Sequence, residues 1–349
     1  MKTRYIYVNP QDPEQNAIDL AAEVIRRGRL AAFPTETVYG LGGNGLDPEA
    51  VRSIFAAKGR PGDNPLILHI AATEEAERLV KTVTPNAAAL MQRFWPGPLT
   101  VVLEKSDLVP LVVTGGLNTV AIRLPDSLVA RRLISAAGVP VAAPSANTSG
   151  RPSPANAKAV LSDLDGKIDM VLDAGPCRIG VESTVVDCTT PVPTLLRPGG
   201  ITLEMLLEVL GEVEAAPALS GLHTTVPRSP GMKYTHYAPS APMRLVEATD
   251  SAMPVILERY IAEAQATGQV VGALVSGETA ERLPDGVVSA VYGPRSRPDM
   301  IAARLYDCLR QFDNTPVDVI FAEGIADKGL GLAVMNRMRK AAGYDIIRE

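Results

Sequence analysis

The sequence predicts an α/β fold in two parts: a larger domain built on a sizeable mixed sheet flanked by helices, then a smaller Rossmann-like α/β domain. Three observations carry this. Short β-rich runs alternate with helix start and stop signals through the first three-fifths of the chain. Some neighbouring runs have no helix between them, so the sheet cannot be purely parallel. Beyond a Pro, Ser and Thr-rich stretch, strand and helix alternate cleanly again. With 349 residues, the chain also exceeds what one core usually organises. The expected boundaries are 1–211 for the first domain, 212–241 for a linker and 242–349 for the second domain.

In order, Asp12-Pro13, Asp47-Pro48, Thr84-Pro85 and Ser153-Pro154 each read as an N-cap followed by proline at the first helical position. Gly28, Gly59 and Gly138 read as C-terminal stops. The β-rich runs are LAAF (30–33), PLILHI (65–70), LTVVLE (99–104), TVAIRL (119–124), VPVAA (139–143), DMVLDAG (169–175) and STVVDC (183–188). The linker lacks sustained periodicity, yet it ends in Lys233, Tyr234, His236 and Tyr237, a composition that suggests a lid rather than a tether. The second domain reads as strand MRLVEA, helix 254–267, strands VVGALVS and SAVYG, helix 299–312, strand VDVIFAE and a helix over 330–341.

Composition narrows the function classes. No apolar run reaches the length of a membrane span, and MKTRYIYVNPQ has no signal-peptide core, so the expectation is a cytoplasmic protein without a membrane. Three widely spaced cysteines suit buried, reduced thiols. With only His69, His223 and His236 in the chain, the sequence speaks against a multi-histidine metal centre, and no metal ligand is assigned to a side chain. A net charge of -5 speaks against a surface made for nucleic acid.

The polar motifs gather at the carboxyl ends of predicted strands, where α/β sheets bind ligands. FPTETVYGLGGNG crowds Thr35, Glu36, Thr37 and Tyr39 together, and its glycines are expected to let backbone approach a ligand. Gly40 to Gly45 spell G-x-G-x-x-G, but PTETVY separates them from the strand and the next helix opens late, which disqualifies a dinucleotide fingerprint. AAKGRPGDNPLILHI delivers Lys58, Arg60, Asn64 and His69. Taken alone, Lys58 and Arg60 suit a solvated helix end, and His69 suits a satisfied core imidazole equally well. Together they suggest an anionic ligand. Arg123 points away from Ile122 and Leu124, so it faces solvent or anchors a buried anion. AAPSANTSGRPSP follows another strand, and a helix start at Ser153 is expected to complete a phosphate cradle. No nucleophile motif, Walker loop or kinase signature is present, which favours positioning and charge neutralisation over covalent catalysis.

FPTETVYGLG, KGRPGDNPLILHI, PSANTSGRPSP, ESTVVD, LLRPGG and SPGMKYTHYAP, co-linear over nearly the whole chain, resemble the threonylcarbamoyl-AMP synthase family in its long form, a YrdC-like domain followed by a Rossmann-like one. The resemblance implies that L-threonine, bicarbonate and ATP, with Mg2+ on the nucleotide, give L-threonylcarbamoyladenylate and pyrophosphate. The product would pass to the tRNA threonylcarbamoyl-transferase machinery that modifies tRNAs reading codons beginning with A. It also implies threonine contacts at Thr35, Thr37, His69, Arg123, Ala143 (through its backbone) and Ser183. ATP contacts fall at Arg60, Asn64, Thr119, Ser145, Ser153, Arg197 and Tyr237, with Lys58 and Arg60 as the catalytic cations. Tyr234 competes with Tyr237 for its role. The alternative is an RNA- or tRNA-binding module of YrdC-like fold without synthase activity, and a direct tRNA contact is compatible with either.

Overall fold

A computed structural model describes residues 2–217 and 236–348. The expectations placed on Lys233, Tyr234 and most of the linker lie outside them. The chain divides into two compact units, residues 1–149 with 153–233, and residues 150–152 with 234–349.

The first unit contains strands β1 (Arg4–Tyr7), β2 (Ala31–Phe33), β3 (Gly40–Asn44), β4 (Ile67–His69), β5 (Leu99–Glu104), β6 (Thr119–Arg123), β7 (Val141–Ala142), β8 (Met170–Asp173), β9 (Thr184–Asp187), β10 (Thr194–Arg197) and β11 (Glu214–Ala215). Among the described residues they form one sheet in the order β1-β8-β2-β3-β7-β4-β6-β5-β9-β10-β11. It is mixed: β4 runs parallel to β6, while β7 is antiparallel to both β3 and β4. The pair β10 and β11 extends the sheet into the stretch expected to be linker.

The helices are α1 (Gln15–Arg26), α2 (Pro48–Lys58), α3 (Ala76–Leu79), α4 (Pro85–Phe94), α5 (Leu128–Ala137), α6 (Ala157–Leu164) and α7 (Leu203–Leu210). One face of the sheet packs on α1 and α5 through Ile18, Ile25, Leu133 and Ile134. The other packs on α2, α4, α6 and α7 through Ile54, Phe94, Leu164 and Leu206. Asp47 and Thr84 cap α2 and α4 as expected, accepting from the Glu49 and Ala87 amides, and Gly59 and Gly138 close α2 and α5 in the left-handed region.

Two expected starts are displaced. The first helix begins after Glu14 instead of Asp12, and α6 after Asn156, whose side chain accepts from the Ala159 amide. Ser153 is therefore not an N-cap, and its hydroxyl is spent on Glu182 instead. The Gly40 to Gly45 run is also corrected, since Gly40–Asn44 form a buried strand. A Cβ on Gly42 would lie 2.8 Å from both Phe33 and Val141, so this glycine serves sheet packing instead of a ligand.

The second unit carries β12 (Met243–Glu247), β13 (Val271–Ser276), β14 (Val288–Gly293), β15 (Val319–Glu323) and β16 (Ile346–Arg348), with α8 (Met253–Ala266), α9 (Gly277–Ala280), α10 (Pro298–Gln311) and α11 (Leu330–Ala341). Every strand pair is parallel, in the order β14-β13-β15-β12-β16. Gly150–Pro152 belong to this unit. The Arg151 guanidinium pairs with Asp313 at 2.6 Å, Arg310 donates to the Pro152 carbonyl, and the Ala238 amide donates to the Gly150 carbonyl at 3.0 Å.

Candidate functional site

Alternation in the strands and register between them place the site on one face. His69 stands opposite Arg123 across the parallel β4–β6 pair, and Ile67 opposite Ala121. Val102 faces Ala121, Thr100 faces Val185, and Arg197 faces Val185. Side chains two residues apart share a face, so Thr119, Arg123, His69, Ala143, Thr100, Ser183 and Arg197 point the same way. Between them lies a small apolar cluster of Ile67, Val102, Ala121, Val185, Leu196 and Ala216, to which no helix contributes. This half of the sheet is therefore a platform edged with polar groups.

Arg123 is buried, and Glu36 holds it with an ion pair of 2.7 Å in which the side chains are 4% and 3% exposed. Of the two readings left open for this arginine, the buried anchor holds. Its Nε donates to the Gly97 carbonyl at 3.3 Å, and Nη1 makes no hydrogen bond among the described residues. Glu36 reaches it from the turn after β2. There the Thr35 hydroxyl accepts from the Thr37 and Val38 amides, while the Glu36 and Thr37 carbonyls accept from Ile179 and Gly180. The Thr35 and Thr37 hydroxyls sit 2.8 Å apart.

His69 is buried beside this pair, edge-on to Phe33, and its Nδ1 has no hydrogen-bond partner. Burial, assisted by the Arg123 charge, pushes its pKa down to about 3, so the imidazole is neutral at ordinary pH. Asn64 Oδ1 is likewise buried without a partner. Buried polar atoms left without a partner in this unit are candidate ligand contacts.

Ser183 is bonded to Thr100 at 2.8 Å and receives Arg197 Nη2 at 3.1 Å, while Arg197 Nε donates to the Ser183 carbonyl at 3.0 Å. The close approach depends on Gly199, where a Cβ would lie 2.3–2.5 Å from the backbone of 182–184. Lys58 is buried, contrary to a solvated helix end. Its ammonium donates to the Ser145 and Asn147 carbonyls, and the Ser145 hydroxyl donates to Asn147 Oδ1 at 2.6 Å. Arg60 bends back onto the Asn64 and Pro65 carbonyls. The Ala143 amide is spent on the Ile67 carbonyl at 3.0 Å.

The first unit thus gathers Thr35, Thr37, His69, Arg123, Ala143, Thr119, Ser183 and Arg197 around one platform, with Lys58 and Ser145 in a second polar knot. Tyr237 belongs to the second unit: it is buried, has a φ of 66°, stacks on Tyr306 at 5.3 Å and lies near the Arg337 guanidinium. Sequence reasoning gave no role to Glu36, Thr100, Glu182 or Asn147. Glu36, Asn147 and Glu182 stood in motifs singled out for their polar side chains, but nothing in those motifs named their partners. Among the described residues no group of three His, Cys, Asp or Glu side chains could hold a metal ion.

Comparison with known proteins identifies the family of the chain. A family model for Sua5, YciO and YrdC, described as "Telomere recombination", matches residues 23–199, and one described as "Threonylcarbamoyl-AMP synthase, C-terminal domain" matches residues 201–343. The chain is 51% identical to a threonylcarbamoyl-AMP synthase of Pyrococcus abyssi, covering 96% of each. It is 48% identical to that of Bacillus subtilis, covering 100% of each, and 40% identical to that of Schizosaccharomyces pombe, covering 95% of this chain and 90% of the relative. A crystal structure of P. abyssi Sua5 complexed with L-threonine superposes with a TM-score of 0.94 at 49% identity, covering 99% of this chain and 100% of the other.

Proposed function

Because this chain belongs to the Sua5, YciO and YrdC family and, over its full length, to the threonylcarbamoyl-AMP synthases within it, we propose that it converts L-threonine, bicarbonate and ATP to L-threonylcarbamoyladenylate, pyrophosphate and water. The observation that carries this reading is the buried Arg123, fixed by Glu36 beside the unpartnered Nδ1 of neutral His69. A guanidinium with one nitrogen to spare suits an α-carboxylate, and an unprotonated imidazole does not compete with the substrate's ammonium for it.

The threonine amine first attacks bicarbonate carbon, and a bicarbonate oxygen departs as water carrying the amine proton, to give a carbamate. A carbamate oxygen then attacks the α-phosphorus of ATP as the bond to pyrophosphate breaks. No protein nucleophile is needed, so acceleration comes from holding carbamate and phosphate in line. On this reading Thr35, Thr37, His69, Arg123, Ala143 and Ser183 hold threonine. Arg60, Asn64, Thr119, Ser145, Ser153, Arg197 and Tyr237 serve ATP, and Lys58 shapes the phosphate side by fixing the backbone of 145–147. Mg2+ would arrive on the phosphates of ATP as part of that substrate. A cytoplasmic setting and delivery of the adenylate to a tRNA-modifying transferase go with this reading.

The test is incubation with ATP, radiolabelled bicarbonate and a panel of amino acids. Threonine-selective pyrophosphate release with label in an adenylate is expected. Release that ignores threonine would overturn the assignment.

A further inference from the structure

The parallel sheet of the second unit has its own switch point. β13 leads through α9 outward to β14 at one edge, whereas its neighbour β15 leads through α11 past β12 to β16 at the other. Adjacent strands whose connections leave in opposite directions open a crevice at their carboxyl ends, where such sheets bind ligands. A cavity of about 430 Å³ lies there, lined by Asp250, Glu278, Arg295, Ser296, Lys328 and the apolar surface of Pro298, Ile325 and Ala326. Its size is within the range of small-molecule sites.

The floor is rigid and polar. Glu323, at the end of β15, is fully buried and accepts from the Ser276 amide at 2.8 Å, the Ser276 hydroxyl at 2.9 Å and Arg295 Nε at 2.8 Å. Arg295 Nη2 also reaches Thr279 at 3.0 Å, and its backbone amide donates to Glu278 at 3.1 Å. The guanidinium is thereby locked, with Nη1 making no hydrogen bond among the described residues. Asp250 Oδ1 approaches the same arginine at 3.8 Å from a side chain 80% exposed. The lining therefore offers cations (Arg295, Lys328) and carboxylates (Asp250, Glu278) beside a small apolar wall. A simple anion would meet two carboxylates, and a simple cation two basic groups. The loop after β12, EATDSAMP, has no glycine with which to cradle a pyrophosphate.

We propose that this crevice is a second ligand site, separate from the first unit's platform, for a small zwitterion of the amino-acid type. Its carboxylate would meet Arg295 and Lys328, its ammonium Asp250 and Glu278, and its side chain Ile325 and Pro298. The inference does not depend on the reaction assigned to the first unit.

The test is calorimetric titration of the full chain with the twenty proteinogenic amino acids, with acetate, methylamine and AMP as single-charge and nucleotide probes. At least one amino acid other than threonine should bind. Lys328→Ala and Asp250→Asn, which alter exposed side chains, should each weaken it about tenfold, or about 1.4 kcal/mol, while leaving pyrophosphate release without that ligand unchanged. Arg123→Ala, in the first unit, should leave the binding that Lys328→Ala weakens unchanged. Failure of every amino acid to bind would overturn the proposal, as would binding indifferent to both substitutions, or acetate or AMP binding as tightly as any amino acid.

Discussion

Replacing Glu36 by Gln keeps the volume of the buried Glu36–Arg123 pair and removes its negative charge. Both side chains are almost wholly inaccessible, so the guanidinium left behind cannot recover hydration. Breaking one member of a buried pair costs about 3–5 kcal/mol, which at about 2–4 °C per kcal/mol predicts a fall in Tm of about 6–20 °C. Arg123→Met should cost a similar amount by stranding the carboxylate. The double variant Glu36→Gln/Arg123→Met should cost much less than the sum, because neither charge is then left alone, giving a coupling of about 2 kcal/mol or more. Thermal unfolding supplies stability, and pyrophosphate release at varied threonine supplies function: Glu36→Gln should raise the KM for threonine by about tenfold while the KM for ATP stays within about twofold. Additivity within about 0.5 kcal/mol would refute the claim that these residues act as a pair.

Three further outcomes follow from single features. His69 has a folded pKa of about 3 and an unfolded one near 6.5, so between these values the unfolded chain binds more protons and stability rises with pH; urea unfolding should show His69 contributing about 2 kcal/mol less at pH 5 than at pH 7, a slope absent in His69→Gln. Gly199→Ala drives a methyl into the backbone of 182–184, so it should cost at least about 1–3 kcal/mol and loosen Arg197 from Ser183, raising the KM for ATP in the release assay. Asp47→Ala removes the cap of the helix that delivers Lys58, and denaturant titration should show a loss of about 1 kcal/mol with turnover at saturating substrate unchanged.

The sequence disclosed the strands carrying His69 and Arg123 and the one that follows Ser183, since β-branched runs bounded by proline and glycine leave few alternatives. It also disclosed the caps at Asp47 and Thr84, where a side-chain acceptor immediately precedes proline. It misplaced the start of α6 because Ser153-Pro154 carries the same local signature as Asn156, and only the long-range bond from Ser153 to Glu182 decides between them. The glycine strand was hidden for a related reason: its residues pack against Phe33 and Val141 through what they lack, and no hydrophobic period announces it. Glu36 could not be matched to Arg123 before the turn after β2 was known to lie over the end of β6. Local chemistry is written locally, whereas the identity of a partner 87 residues away depends on strand order.

The assignment of Gly150–Pro152 to the second unit has a consequence for any attempt to shorten this protein. The chain passes from one unit to the other at 149–150 and returns at 152–153, in the middle of the segment that bears Ser145 and Ser153. A fragment ending at residue 217 would keep every side chain of the platform. It would nevertheless strip Gly150, Arg151 and Pro152 of their bonds to Ala238, Asp313 and Arg310. No single cut in the chain therefore separates the two units, because residues 150–152 go with the later part of the sequence.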